Sequence, residues 1–322
     1  MKVVICPDKF AGTLSATQAA KIMADAWAAV RPEDELRIIP LADGGPGFLE
    51  AVYSGLGGVL HEENVRDPLG RSITAQWLEV GDTAYIEAAQ ACGLDLLTPA
   101  ERNPAKTHTR GVGQLIDAAA DFPRIVVGLG GSATNDGGRG AVEVLDGREI
   151  PGLIIAADVE CPLLGPDGAT YGFAEQKGAA PGDLPVMEDR MYQWAQQAPE
   201  LAELPGAGAS GGLGFGLMLL GGQGVSGAEL VLDVSGARGA CAQVDLVVTG
   251  EGKFDWQSVR GKTVGAVLDV APHAIVIAGE VTIEDPPVRT YSLVDTVGVD
   301  RALGDAEQSL AEVTALAARG VS

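Results

Sequence analysis

Asp136 stands in the segment of this chain with the most chemistry per residue, Gly128-Leu-Gly-Gly-Ser-Ala-Thr-Asn-Asp-Gly-Gly138. Five glycines share it with two hydroxyls, an amide and a carboxylate. Backbone so free of Cβ atoms approaches an anion closely, and consecutive N–H groups cradle it. Gly130, Gly131 and Gly137 supply that backbone; Ser132, Thr134 and Asn135 add polar side chains, and Asp136 suits a divalent metal. The chemistry to expect is the gripping and moving of a phosphate. A second set consists of carboxylates at loop tips. Asp8, Asp43, Asp136, Asp158, Glu251 and Asp255 each fall at or just beyond the end of an expected strand. Ligands of open α/β sheets bind outside the carboxyl ends of strands. Phosphoryl transfer needs a magnesium site and a group that accepts the substrate hydroxyl proton, and aspartates there supply both. Lys9, Lys177, Lys253 and Lys262 are the cations near these loops, and Arg110, before Gly111-Val-Gly113, suits a substrate carboxylate. Ordinary turns and caps also favour Asp, and a surface ion pair would equally account for Arg110.

Strand–loop–helix units must position these groups. Residues 3–6 read as a first parallel strand, followed by the loop Pro7-Asp-Lys-Phe-Ala-Gly-Thr-Leu14. Ser15 and Gln18 form a capping box, and Ala19, Ile22, Met23, Ala26, Trp27 and Val30 recur at helical spacing. Residues 36–39 open a second unit whose loop is Leu41-Ala-Asp-Gly-Gly-Pro-Gly47. The pattern then changes: 73–80 and 83–88 read as strands joined by Gly81-Asp82, a type II′ hairpin signal. Residues 114–120 predict a helix, 124–127 the strand before the glycine loop, and 153–157 a strand ending at Asp158. Helices are expected at 186–198, 215–220, 262–270 and 301–319, and strands at 230–233, 245–248 and 274–278. The expected fold class is α/β: an open Rossmann-like parallel sheet with a second, inserted α/β domain containing antiparallel strands. Residues 1–64 plus 240–322 would form the first domain and 65–239 the second, with the active site in the cleft between them.

Composition limits the partners. The 322 residues are 46% hydrophobic, enough for sizeable cores, and the 45 glycines cluster in loops after apolar runs. A net charge of −22 with no basic stripe argues against nucleic acid and anionic membranes, since phosphate neutralisation needs clustered Lys and Arg. No run approaches the ~18 apolar residues of a membrane span. The stretch before Pro7 is too short for a signal peptide. Cys6, Cys92, Cys161 and Cys241 are widely spaced without a CxxC, which disfavours structural zinc and a disulfide framework and points to a cytoplasmic setting. A small-molecule substrate follows, and a homo-oligomer is compatible with the sequence.

Three glycine motifs compete for a nucleotide. Gly261-Lys262-Thr263 ends like a Walker A motif, but Trp256 occupies the place of its first glycine. Gly206-Ala-Gly-Ala-Ser-Gly211 is a literal GxGxxG, yet Pro205 precedes it where a strand should end. Gly128-Leu-Gly-Gly-Ser-Ala133 follows a strand, but Gly137, Gly138 and Gly140 disfavour the helix that a dinucleotide pyrophosphate needs. An NAD-dependent oxidoreductase using residues 128–133 is thus one alternative, and a non-catalytic binding protein another.

Seven motifs in order carry a resemblance over nearly the whole chain. They are Pro7-Asp-Lys-Phe-Ala-Gly-Thr-Leu-Ser-Ala16, Pro40-Leu-Ala-Asp-Gly-Gly45, the 128–138 loop, Asp158-Val-Glu-Cys-Pro-Leu-Leu-Gly165, Gln176-Lys-Gly178, Gly206-Ala-Gly-Ala-Ser-Gly-Gly-Leu-Gly214 and Thr249-Gly-Glu-Gly-Lys-Phe-Asp255. Together they resemble the bacterial glycerate kinase family. The resemblance implies ATP- and magnesium-dependent phosphorylation of D-glycerate, with 2-phosphoglycerate favoured over 3-phosphoglycerate; a kinase of another small hydroxy acid is the near alternative. Carried over by position, Gly130, Gly131, Ser132, Thr134, Asn135 and Gly137 would hold ATP phosphates, with Mg2+ at Asp136 or Asp158. Asp8 or Asp43 would orient or deprotonate the hydroxyl, and Lys9 would stabilise the transferring group, with Asp136 alongside them as a catalytic candidate. Arg110, Lys177, Glu251 and Asp255 would bind substrate. The chain departs from the family where Lys9 replaces a serine and Ala11 a lysine, where Cys161 replaces an asparagine, and where Gly45-Pro-Gly-Phe48 replaces Gly-Glu-Gly-Thr. The last change is expected to put an apolar ring near the substrate.

Overall fold

The computed structural model describes residues 1–10, 12–259 and 262–321; Ala11 and Gly261 lie outside it. Among these residues the strands are β1 (Lys2–Ile5), β2 (Glu35–Ile38), β3 (Val59–Arg66), β4 (Ser72–Val80), β5 (Thr83–Glu87), β6 (Arg124–Gly128), β7 (Leu153–Ala156), β8 (Gln223–Val225), β9 (Leu246–Phe254), β10 (Ile275–Val281) and β11 (Arg289–Ser292). The chain divides into two compact units: Met1–Asp43, Glu50–Gly57 and Ala228–Ser322 form one; Gly44–Leu49 and Gly58–Gly227 form the other.

The first unit is built on a parallel sheet of order β11-β10-β9-β1-β2. Val3, Val4 and Ile5 are all buried, as a strand covered on both faces requires. The capping box forms as the sequence predicts: Ser15 Oγ accepts from Gln18 N–H at 3.2 Å, and Gln18 Oε1 accepts from Ser15 N–H at 2.9 Å. The helix it opens, Ala16–Val30, buries Met23 and Trp27 in a core shared with Ile277, Leu310 and Val313.

The second unit holds a six-stranded sheet of order β3-β4-β5-β6-β7-β8. β3, β4 and β5 pair antiparallel, and β5 to β8 run parallel. Val80 pairs with Thr83 across Gly81-Asp82, and Gly81 has φ +56°. Asp82 keeps a negative φ, which selects the type II′ turn over I′. Ile125 and Val127 of β6 are buried among Ile86, Leu115, Ile155 and Leu217, so the strand that feeds the glycine loop is firmly anchored. The mixed α/β class with one parallel sheet and one partly antiparallel sheet is the expected one. β3 lies wholly within the second unit, which therefore begins before residue 65.

Several elements differ from expectation. Residues 230–233 belong to the helix Gly227–Val234, not to a strand. An apolar run of this length is ambiguous by periodicity. β9 continues through 249–253 to Phe254, so Glu251 lies inside a strand. β3, β8 and β11 carry no clear apolar alternation and are invisible to pattern reading; β8 is exposed at all three positions.

Candidate active site

In the first unit, the loops after β1 and β2 bring Asp8, Lys9 and Asp43 together. Lys9 Nζ donates to Asp43 Oδ1 at 2.8 Å and lies 3.6 Å from Asp8 Oδ1. Asp8 is buried, with Oδ1 accepting from Lys9 N–H at 2.7 Å and Oδ2 accepting from Thr263 Oγ1 at 2.9 Å. Burial raises the Asp8 carboxyl above its ordinary range, and the Lys9 charge offsets part of that. Burial alone would lower the lysine pKa, but Asp8 and Asp43 outweigh it and hold Lys9 charged. Glu251 belongs to the same electrostatic neighbourhood. Burial, with the Asp8 charge adding to it, pushes its carboxyl up to about 7. Its Oε1 is buried without a hydrogen-bond partner among the described residues. Asp255 instead organises the turn after β9, accepting from Gln257 N–H at 2.8 Å and Ser258 N–H at 3.2 Å. Lys253 forms a loose ion pair with Glu280, and Lys262, whose charge acts on Glu251, makes a long bond to Gln257.

In the second unit, the glycine loop is pressed from behind by other backbone. A Cβ on Gly130 would lie 2.5 Å from Gly45 Cα, and one on Gly131 would lie 2.7 Å from Pro46 Cγ. A Cβ on Gly138 would meet Gly216 Cα at 2.7 Å. The second glycine motif is the other side of this seam: a Cβ on Gly211 would reach Thr134 O at 1.9 Å, and Gly137 N–H donates to Gly211 O at 3.0 Å. Residues 206–211 therefore back the first loop and form no dinucleotide fingerprint. They follow the short helix Pro199–Ala202 rather than a strand. After Gly131 the chain reaches its next helix only at Arg139–Val144, so the NAD alternative lacks the helix it needs.

Among the described residues, the amides of Gly130, Gly131 and Ser132 donate to no protein acceptor. The same loop holds Lys177, buried, with Nζ donating to Ser132 Oγ at 3.0 Å and to Thr134 O at 2.8 Å. Burial pushes its pKa down to about 8, against the opposing pull of Cys92, Cys161 and Asp136. Two of its three donors are engaged, and the third meets no protein acceptor among the described residues. Free amides and a buried cation on one loop suit phosphate oxygens.

Asp136 faces the loop itself. Oδ2 accepts from Thr109 N–H at 2.9 Å, Thr109 Oγ1 at 2.9 Å and Gly140 N–H at 3.0 Å, and Oδ1 accepts from Gly138 N–H at 3.1 Å. Oδ1, with a single donor, is the oxygen with acceptor capacity left. Asp158 accepts from Ser226 Oγ at 2.8 Å. Among the described residues no group of three or more His, Cys, Asp or Glu could hold a metal. A Mg2+ site completed by substrate phosphates would draw on one or two carboxylates, and Asp136 and Asp158 would be those carboxylates. Arg110 is exposed and ion-paired with Glu143. Phe48, expected near substrate, is instead fully buried, its ring 6.2 Å from that of Tyr85. Thr98 to Thr109 gave no motif in the sequence, yet buried Thr109 holds Asp136. Glu87, buried at the end of β5, accepts from Gly47 N–H at 3.1 Å and Leu49 N–H at 3.2 Å and was equally hidden. Only the tertiary contacts reveal either.

An open-amide glycine loop, found in the second unit, and a carboxylate–lysine cluster, found in the first, are each the kind of group an α/β phosphotransferase uses. A model of the glycerate kinase family matches residues 3–151 and 148–321. A glycerate kinase from Bacillus subtilis is 36% identical, covering 91% of this chain and 88% of its own. The glycerate 2-kinase of Escherichia coli is 32% identical, over 96% and 93%. A solved structure from Salmonella typhimurium LT2, assigned as glycerate kinase 2, superposes with a TM-score of 0.77 at 31% identity, covering 99% of this chain and 98% of that one. The chain belongs to the glycerate kinase family, and it is a kinase.

Proposed function

We propose that this enzyme transfers the terminal phosphate of ATP to D-glycerate, giving 2-phosphoglycerate. The observation that carries the reading is the set of open amides at Gly130, Gly131 and Ser132, with buried Lys177 bonded to the same loop. The name of the Escherichia coli relative supports the 2-position. In this reading the second unit holds the nucleotide phosphates. The loop amides and the third Lys177 donor bind their oxygens, and Asp136 fixes the loop through Thr109, Gly138 and Gly140. Magnesium, bound with the nucleotide, supplies charge neutralisation at the phosphate oxygens.

The first unit activates the acceptor. Asp8 accepts the hydroxyl proton; its burial gives it a higher proton affinity than a solvated aspartate has. Asp43 holds Lys9, whose charge stabilises the transferring group. Glu251, half-protonated near neutral pH, binds the substrate hydroxyls as donor or acceptor. Lys177 serves the phosphates rather than the substrate carboxylate, because it is buried and bonded to the loop. All four cysteines are free thiols and no helix among the described residues is long and apolar enough to cross a membrane; a cytoplasmic setting agrees with both.

The test is direct. Purified protein with ATP, Mg2+ and D-glycerate should release ADP, and phosphorus NMR of the product should show the phosphate on the 2-oxygen. A 3-phosphate product would overturn the regiochemistry. Silence on glycerate with turnover of another hydroxy acid would overturn the substrate.

A further inference from the structure

A pocket of about 170 Å³ opens beside the far end of the glycine loop, lined by Asn135, Arg139, Met187, Arg190, Met191 and Trp194 among others. Neither Arg139 nor Arg190 forms an ion pair with a carboxylate among the described residues. Both are exposed, and in a chain of net charge −22 two unpaired guanidinium groups at the mouth of one cavity suit an anion. The one carboxylate among the described lining residues, Asp136, is met by four donors from Thr109, Gly138 and Gly140. Asn135 is buried at 8% exposure; its Nδ2 donates to Thr170 Oγ1 at 3.1 Å, while its Oδ1 has no partner. The wall is pre-formed: Trp194 Nε1 donates to Gly137 O at 2.9 Å, and the Arg139 guanidinium stacks over that indole at 4.6 Å.

We propose that this pocket is a subsite for a phosphoryl group, whose oxygens Arg139 and Arg190 take. The cavity is below the ~300 Å³ at which drug-sized ligand sites begin, so it receives one end of a ligand rather than a whole nucleotide. Two molecules present that chemistry: a nucleotide, through its phosphates, and a phosphorylated hydroxy acid. The ligand class rests on the phosphotransfer reading above, and the experiment keeps the two separable.

Calorimetric titrations of ADP, 2-phosphoglycerate and D-glycerate would be run on the wild type, R139Q, R190Q and the double variant, each first shown to keep its circular dichroism and melting transition. At least one phosphorylated ligand should bind the wild type and weaken about tenfold or more in each single variant, the loss expected for a charge-assisted bond. D-glycerate should be unaffected. Arg190→Lys should fall between, since it keeps the charge and loses the fork. Loss confined to ADP assigns the subsite to the nucleotide, and loss confined to 2-phosphoglycerate assigns it to the phosphorylated acid. Unchanged affinity for both in the double variant overturns the proposal. Wild-type turnover of ATP and D-glycerate is measured alongside: turnover with unchanged affinities sinks the pocket alone, whereas lost phosphate affinity without turnover sinks the substrate assignment and keeps the pocket.

Discussion

The glycine seam of the second unit and the charged cluster of the first are organised by opposite means. In the seam, two chain segments seventy-odd residues apart meet backbone to backbone, and position is fixed by the absence of side chains. In the cluster, Asp8, Lys9 and Asp43 are fixed by charge and hydrogen bonds at the ends of two adjacent strands. A seam of this kind tolerates no added atom, and glycines such as Gly138 and Gly211 serve it without touching a ligand. A cluster of this kind tolerates changes of shape but not of charge. Mutations should therefore separate folding from chemistry according to the region they strike.

The largest effect is expected at Gly211. It has φ +69°, and a Cβ there would lie 1.9 Å from Thr134 O and 2.9 Å from Asn135 Cα, both backbone atoms that cannot move aside. Gly211→Ala should destabilise the protein by about 4 kcal/mol or more in chemical denaturation. Gly147 is the control: its φ is +64° but nothing lies within 4 Å, so Gly147→Ala should lose only the ~1–2 kcal/mol of left-handed strain. Equal losses at the two positions would break the idea that packing, rather than φ alone, selects the glycines of the seam.

Lys9→Met should leave the protein folded and lower kcat by about 10²–10³, the range for removing one group that stabilises transition-state charge. The Lys9 charge is also what restrains the Asp8 carboxyl. Its removal should raise that carboxyl further and move the acid limb of the residual activity to higher pH. Near-normal kcat would remove Lys9 from the chemistry and leave the cluster a structural ion pair.

Glu251 gives a subtler separation. Burial lifts it from an ordinary 4.5 to about 7, so the folded state binds its proton more tightly than the unfolded chain does. Stability from this group is full below pH 4.5 and is lost as pH rises to about 7. Asp8 adds a slope of the same sign, because burial raises it too. Glu251→Gln should therefore flatten, without abolishing, the fall in denaturation free energy between pH 4.5 and 7. An unchanged slope would mean that the carboxyl is better solvated than its unpartnered Oε1 indicates.

This contrast also explains what the sequence disclosed. Charge clusters announce themselves, because Asp and Lys at strand ends have a known use; Asp8, Lys9 and Asp43 were legible as a set. So were the capping box at Ser15 and the turn at Gly81, which depend on neighbours in sequence. The seam was half legible. Both glycine motifs stood out, but as rivals for a nucleotide, since a glycine that yields to a ligand and one that yields to another loop look the same. Thr109 and Glu87 were not legible, because their value lies in the partners that folding supplies. The helix Gly227–Val234 was misread for a related reason: Leu230-Val-Leu is apolar enough for either element, and tertiary packing decided.

The smallest expected effect tests the seam from the other direction. Ser210 precedes Gly211 and, unlike its neighbours, holds a left-handed φ of +52° with a side chain attached. Its Oγ is buried without a hydrogen-bond partner, so the hydroxyl gives nothing back for that strain. Its carbonyl, which Thr134 Oγ1 reaches at 3.5 Å, is backbone and survives any substitution. Ser210→Gly should thus relieve strain and an unsatisfied hydroxyl while keeping every contact the seam uses. The gain is limited to about 1 kcal/mol, because glycine also loosens the unfolded chain. A melting temperature raised by a degree or more, with unchanged activity, is the expected outcome. A lowered one would show that Ser210 Oγ has a partner in solution, and that the seam is held by more than the exclusion of side chains.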